Sequence, residues 1–399
     1  MSRTHTIDGR PRARGLGIPL AGRPGEQNAI TDLPGLEVGM VTLIDGEGAL
    51  VPGQGPVRTG ITAILPRGAD GVGVPCAAGT HSLNGNGEMT GTTWINEVGA
   101  LATPVLITNT HAVGACHRGV IDWTLSHRPG LGAQWLLPVV AETWDGYLND
   151  VNGPHVRVEH AVAALESARP GPVAEGSVGG GTGMNCYSFK GGTGTSSRVV
   201  DHGGTLYTVA ALVQANFGTR VELTVAGVPV GPSLLDDNPL ETTNWFSRDG
   251  RLAGLRGAGS VIVVVATDAP LLPGQCAALA RRVPLGLART GTSGSHFSGD
   301  VFLAFSTANV GALTSRMPVT ASAAPDDYES LRFVPWGWMD PFYEAVVHSV
   351  EEAVLNALVV NADMVGRDGH RSPALPRDRL VALLAAAGRL DPDGTEGTS

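Results

Sequence analysis

The chain has 399 residues, of which 56 are glycine and 16% are charged. That glycine content is about twice the usual share and the charge is well below the typical quarter, but an apolar content of 42% excludes a disordered polymer and the absence of a G-X-Y period excludes collagen. Lys plus Arg number 27 against 37 Asp plus Glu, and the net charge of −10 excludes a basic nucleic-acid binder.

The first forty residues are Arg-, Pro- and Gly-broken and are expected to be loop-like. They lack the apolar run of about 7–15 residues that marks a secretory signal. No stretch approaches the roughly 18 apolar residues of a membrane span. Residues 61–65 (ITAIL) predict a strand, 80–99 a long Gly/Asn-rich irregular segment, 105–108 a buried strand and 112–126 a helix stopped at Pro129-Gly130. The apolar run 136–141 leads into the polar ETWDGYLND. Val158, Val162 and Leu165 lie at helical spacing in 155–168. Residues 176–198 form a Gly-rich block, 205–213 predict a strand, and 227–259 have no periodicity and predict an exposed loop. Ser260 then opens SVIVVVAT, the most strand-like run of the chain. A helix at 275–282 and a strand at 301–306 follow. Asp340-Pro341 is an N-cap and N1 pair opening a helix that carries Phe342, Val346, Val350, Val354 and Leu358 on one stripe and ends near Gly366; a last helix spans 376–387. No linker or repeat divides the chain, so one α/β or α+β domain over 1–399 is expected, its strands covered on both faces.

Cys76, Cys116, Cys186 and Cys276 are scattered and form no CxxC pair, which with the missing signal leads to an expectation of reduced thiols in a cytoplasm. The histidines show no HExxH or Cys/His ligand spacing, so no metal site is expected. The Gly-rich block is not a phosphate loop, because Lys190 follows Phe189 and precedes Gly191; a close-packed turn beside a site fits it better.

Four places carry groups of chemical interest, each open to a bland reading. Gly259-Ser260 is a loop-to-strand junction, or a bond that Ser260 Oγ attacks in an N→O acyl shift. Hydrolysis would then leave an N-terminal serine whose α-amine, with a reference pKa of about 7.7–8.0, serves as base. Ser298 and Asp300, ahead of the strand 301–306 and two residues apart, are turn residues or a hydroxyl–carboxylate pair that orients a base or an ammonium. Glu142 and Asp145 are turn acids or partners for a substrate amine. Asn216 is a turn residue or an oxyanion donor.

GGGTGMNCYSFKGGTGTSSR, GSVIVVVATDAPL and LARTGTSGSHFSGDVFLAFST resemble the DmpA-like family, the L-aminopeptidase D-Ala-esterase/amidases and β-aminopeptidases. NGNGEMTG, TNTHAVG, ETWDGYLNDVNG and EEAVLNAL extend the resemblance over about residues 12–380. It implies a four-layer αββα sandwich like that of Ntn hydrolases and ornithine acetyltransferase. It also implies self-cleavage at Gly259–Ser260 into an α chain, 1–259, and a β chain, 260–399. Ser260 matches the nucleophile, Ser298 and Asp300 the Ser-x-acid pair beside it, Asn216 the oxyanion-hole amide and Glu142 the acid that receives the substrate's free amine. Trp144 stands where an aromatic, Tyr in some members, borders the site; only its indole N–H would replace a hydroxyl there. The implied substrate is a short peptide, amide or ester with a free amino end, with no metal or cofactor and no nucleic-acid or membrane partner. The implied assembly is a tetramer of αβ units. Two rivals are an acyltransferase of the ornithine acetyltransferase type, which would use Thr where Ser260 stands, and an unprocessed non-enzymatic homologue, against which the complete set of site residues argues.

Overall fold

The structure is a computed structural model and describes residues 3–243, 259–315, 317, 322–324 and 327–391. Its principal strands are β1 (Glu37–Asp45), β2 (Val57–Leu65), β3 (Cys76–Ser82), β4 (Ala100–Leu101), β5 (Val105–Asn109), β6 (Val139–Thr143), β7 (Gly192–His202), β8 (Thr205–Asn216), β9 (Gly259–Thr267) and β10 (Ser298–Ser306). Its principal helices are α1 (Thr92–Val98), α2 (Val113–His127), α3 (Val158–Glu166), α4 (Pro273–Ala280), α5 (Val283–Ala288), α6 (Asp340–Val359) and α7 (Arg377–Ala386).

Two mixed sheets result. The smaller has the order β1-β2-β5-β6, with only β5 and β6 parallel. The larger has the order β4-β3-β10-β9-β8-β7, with only β9 and β10 parallel. Strand alternation explains why the apolar runs are continuous. In β9, Val261, Val263 and Val265 face one core while Ile262, Val264 and Ala266 face another. The inner core joins Ile64, Val105 and Ile107 of the small sheet to Leu212, Ile262 and Leu303 of the large one. The large sheet's outer face is covered by the predicted stripe of α6, Phe342 to Leu358. The small sheet's outer face is covered by Cys116, Val120 and Trp123 of α2 and by Ala161 and Leu165 of α3. The layers are therefore α, β, β and α, as the resemblance implied.

Several local expectations are corrected. The Gly-rich block is not all turn: its second half is the eleven-residue strand β7. Glycine is needed there for helix–sheet approach, since a Cβ on Gly194 would lie 1.9 Å from the Ala353 carbonyl oxygen of α6. The first forty residues include the start of β1, and 80–99 include the end of β3 and all of α1. Helix α6 stops at Val359, not near Gly366, because the Asn361 side chain takes over the Ala357 carbonyl at 2.5 Å and also donates to Gly191 O at 2.9 Å. Met339 occupies its N-cap and Asp340 is its first residue. The expected loop 227–259 carries a helical turn at Pro239–Thr242; its residues 244–258, including the RGA before Gly259, lie outside the described residues. Among the described residues no helix is long and apolar enough to cross a membrane, and no group of three or more His, Cys, Asp or Glu could hold a metal ion. All four cysteines are buried and free.

Candidate active site

The site forms where the two sheets face each other at the start of β9. Asn216, the last residue of β8, stands opposite Ser260 in the antiparallel register. Both continue the face that carries Leu212, Ile262 and Val264, so both point between the sheets. From the other sheet, the chain leaving β6 brings Trp144 across. Its backbone N–H donates to Ser260 Oγ at 3.2 Å. The Asn216 amide nitrogen donates to the Trp144 carbonyl at 2.9 Å and lies 3.3 Å from Ser260 Oγ. The orientation of that amide is forced: Asn185 N–H, which can only donate, meets Asn216 Oδ1 at 2.9 Å, and the Trp144 carbonyl can only accept. Two N–H donors thus converge on a buried serine hydroxyl. It is the Trp144 backbone that makes the contact with Ser260 Oγ.

On its other side β9 runs parallel to β10, with Gly259 opposite Ser298, Ser260 opposite Gly299 and Val261 opposite Asp300. Ser298 and Asp300 lie within β10, not ahead of it. Ser298 Oγ donates to Asp300 Oδ1 at 2.5 Å. Asn84 clamps the same acid twice, donating from Nδ2 to Oδ2 at 3.0 Å and accepting the Asp300 N–H at 2.7 Å. Burial raises the Asp300 pKa above its ordinary value, against the hydrogen bonds from Ser298 and Asn84.

Glu142 lies in β6, two residues before Trp144. Its carboxylate accepts the Glu88 N–H at 2.9 Å and the Thr110 hydroxyl. Burial raises its pKa, and these two bonds oppose the shift. Asp145, the other acid considered for a substrate amine, is fully enclosed and bonded to Asn149 Nδ2 at 3.0 Å; burial pushes it up to about 7. It is a strut of the 145–149 turn and not a substrate ligand. Beside Trp144 opens a cavity of about 240 Å³ whose wall includes His111, Gly146 and Asn149.

Sequence reading singled out none of Asn84, Thr110, Asn185 or Lys190 for a role at this site. Lys190 is fully buried and donates to the carbonyls of Met184 at 2.7 Å and Gly191 at 2.8 Å. Burial lowers its pKa to about 7. Met184 precedes the Asn185 whose N–H fixes Asn216, so Lys190 braces the Asn216 amide from behind. Lys190→Met removes two charge-assisted hydrogen bonds, although the Met184 carbonyl keeps the Gly191 N–H and the Gly191 carbonyl keeps Asn361 Nδ2. It is expected to destabilise the protein by roughly 2–3 kcal/mol, read as a lower denaturant midpoint at unchanged slope.

Peptidase family S58 matches residues 28–372 of this chain. The chain is a member of peptidase family S58. A relative in that family, the beta-peptidyl aminopeptidase BapA of Sphingosinicella microcystinivorans, is 48% identical over 382 residues, which cover 95% of this chain and 93% of the relative. The protein of the same name from Sphingosinicella xenopeptidilytica is 44% identical over 381 residues, 94% of this chain and 91% of the relative. Among solved structures, the L-aminopeptidase D-Ala-esterase/amidase of Ochrobactrum anthropi superposes with a TM-score of 0.85 at 45% identity, over 96% of this chain and 100% of that one. It is described as a prototype for the serine aminopeptidases and a new variant among the Ntn hydrolase fold. A Burkholderia sp. beta-aminopeptidase gives a TM-score of 0.81 at 44% identity, over 94% of this chain and 99% of that one. As an S58 peptidase the chain is a serine-type hydrolase of the aminopeptidase class, with the fold and family that the sequence motifs implied.

Proposed function

We propose that this S58 peptidase cuts its own chain between Gly259 and Ser260 and then removes amino-terminal residues with the new N-terminal serine. The observation that carries the reading is the convergence of Trp144 N–H and the Asn216 amide on Ser260 Oγ, in register with Gly299 between Ser298 and Asp300. In the first stage Oγ attacks the Gly259 carbonyl carbon. The C–N bond breaks as the ester forms, and the hydroxyl proton ends on the nitrogen. Water cleaves the ester, leaving a carboxylate on Gly259 and a free amine on Ser260. That amine, with a reference pKa of about 7.7–8.0, is the base for the second stage, and the Ser298–Asp300 pair on the adjacent strand positions it. A substrate ammonium pairs with Glu142, and Oγ attacks the first carbonyl. The Ser260 amine takes the hydroxyl proton and passes it to the leaving amine. Asn216 and Trp144 N–H donate to the oxyanion, and water releases the acyl group.

The substrates of this reading are amides, esters and short peptides with a free amino end. The two beta-peptidyl relatives support including β-amino acids at that end. Assembly of αβ units into a tetramer and a cytoplasmic location complete the proposal; the four unpaired, buried thiols support the latter. Denaturing mass spectrometry of the purified protein should show two chains, the smaller starting at Ser260, alongside hydrolysis of amino-acid p-nitroanilides. A single intact chain that still hydrolyses them overturns the mechanism.

Glu142→Gln keeps the shape of the ammonium site and removes its charge. It is expected to lower kcat/KM for free-amine substrates roughly 10- to 100-fold, chiefly through KM. The sign of the pH effect follows from burial. Glu142 must be ionised to hold an ammonium and its pKa is raised, so the acid limb of kcat/KM lies above the ordinary carboxylate range and is lost as pH falls through it. In Glu142→Gln that limb should move; a profile identical to wild type would place the amine elsewhere.

A further inference from the structure

The cavity beside Trp144 contains a cation that the reaction at Ser260 does not use. Its wall includes His111 and Trp144, next to the ammonium and nucleophile positions, and also Asp150 and Arg367. Among the described residues lining it, Arg367 is the only Arg or Lys. The guanidinium is anchored on one side. Nε donates to Gly146 O at 2.7 Å and Nη1 to Asp368 Oδ2 at 3.0 Å, and the side chain is only 16% exposed. Among the described residues nothing accepts from Nη2. The acids nearby are already engaged: Asp150 by His155 at 2.9 Å and by the Gly53 N–H at 2.7 Å, and Asp368 by the Leu50 N–H at 2.8 Å. Trp144 touches Ser260 and Gly146 touches Arg367, and the two are separated by at most about 7 Å of chain. Through that path the guanidinium lies at most about 17 Å from the nucleophile, within the span of a short extended peptide.

We propose that Arg367 is a carboxylate-binding subsite, in which Nη2 takes a free carboxylate of the substrate. This rests on the aminopeptidase reading above and adds a substrate class to it: short zwitterionic peptides, held at the ammonium by Glu142 and at the carboxylate by Arg367. A pinned guanidinium in a cavity forms a charge-assisted bond with little loss of side-chain freedom and little screening. Two fixed opposite charges also measure length, so peptides longer than the span satisfy only one of them. The carboxylate has two sources, the free C-terminus of the leaving segment or an acidic side chain on the first residue.

The test compares kcat/KM for Ala-Ala and Ala-Ala-Ala with their C-terminal amides, for Asp-Ala amide with Ala-Ala amide, and for alanine p-nitroanilide, in wild type, Arg367→Gln and Arg367→Lys. A wild-type advantage of roughly tenfold or more for the free acids that falls towards one in Arg367→Gln supports the subsite with the C-terminal source. The same advantage for Asp-Ala amide, lost in the variant, supports it with the side-chain source. The wild-type ratio is itself decisive: equal rates on acid and amide pairs overturn the subsite even if the variants do not fold. A ratio unchanged in Arg367→Gln also overturns it. Anilide hydrolysis without discrimination defeats this inference alone, whereas no hydrolysis of any compound defeats the aminopeptidase reading as well.

Discussion

Ser260→Ala is expected to give one uncut chain and to lower amino-acid anilide hydrolysis by at least about 10⁴-fold, a barrier increase of about 5.5 kcal/mol. The substitution removes only Oγ, the atom on which Trp144 N–H and the Asn216 amide converge. The alanine methyl keeps the strand position, and the neighbours Val261 and Ile262 remain fully buried in their two cores. Folding is therefore expected to be intact by circular dichroism and thermal midpoint, so that the loss reads as chemistry. Both losses would come from one atom, because in the proposed mechanism the same oxygen serves in self-cleavage and in turnover. Gly259→Ala separates the two. A Cβ there would stand 2.3 Å from the Asn216 carbonyl oxygen and 3.0 Å from the Phe217 Cα, so it displaces the Gly259–Ser260 bond while Oγ remains. Slow or absent processing is expected, followed by mass spectrometry over time. An uncut Ser260→Ala that retains wild-type anilide hydrolysis would remove Ser260 from the mechanism.

Asn216→Ala is expected to lower kcat by roughly 10²–10³-fold, about 3–4 kcal/mol, with KM for the same anilide nearly unchanged. In the proposed mechanism the amide contributes only once charge develops on the carbonyl oxygen, which is why the loss is expected in kcat. Three contacts hold it without water: Asn185 N–H on the oxygen and, on the nitrogen, the Trp144 carbonyl and Ser260 Oγ. Asn216→Asp is isosteric but sets a carboxylate oxygen against the Trp144 carbonyl, and is expected to be no better than Ala. A proportionate rise in KM with unchanged kcat would instead make Asn216 a ground-state binder. Trp144 N–H survives either substitution, so the residual rate measures the backbone donor.

The parts of this molecule legible in the sequence are those written in local pattern. The run Val261–Val265 announced a strand buried on both faces, and the stripe from Phe342 to Leu358 announced the helix that covers it. The candidate residues Ser260, Asn216, Glu142, Ser298 and Asp300 were picked out through motifs, and the fold brings Ser260 and Asn216 into contact and sets the Ser298–Asp300 pair on the neighbouring strand. What was missed is set by partners far along the chain. Asn84 reaches Asp300 across 216 residues and Asn361 ends α6 by turning back on Lys190 and Gly191, and no window of neighbouring residues records either contact. Lys190 was weighed only as a failed phosphate-loop lysine. Its role comes from being walled in by backbone carbonyls, which composition alone does not reveal. Asp145 looked equivalent to Glu142 in ETWDGYLND, and both are buried; what separates them is position, Glu142 being held in β6 by Glu88 N–H and Thr110, and Asp145 being enclosed in the 145–149 turn by Asn149.

The strand order of the large sheet has a consequence for the life history of the protein. β9 and β10 lie between β3 on one side and β8 on the other, so segments that follow Ser260 are sandwiched between segments that precede Gly259. A cut at that bond would leave eight residue pairs between β8 and β9, and six between β10 and β3, holding the new pieces together. The two polypeptides would be interleaved from birth, having met while still one molecule. Unfolding would undo what translation supplied, because re-entry of the middle strands becomes an encounter between separate chains instead of the closure of a loop. Such a protein has its native assembly encoded in its precursor and not in its parts. Its mature form is expected to be durable yet unable to renature after complete denaturation, with working lifetime set by the rate of unfolding.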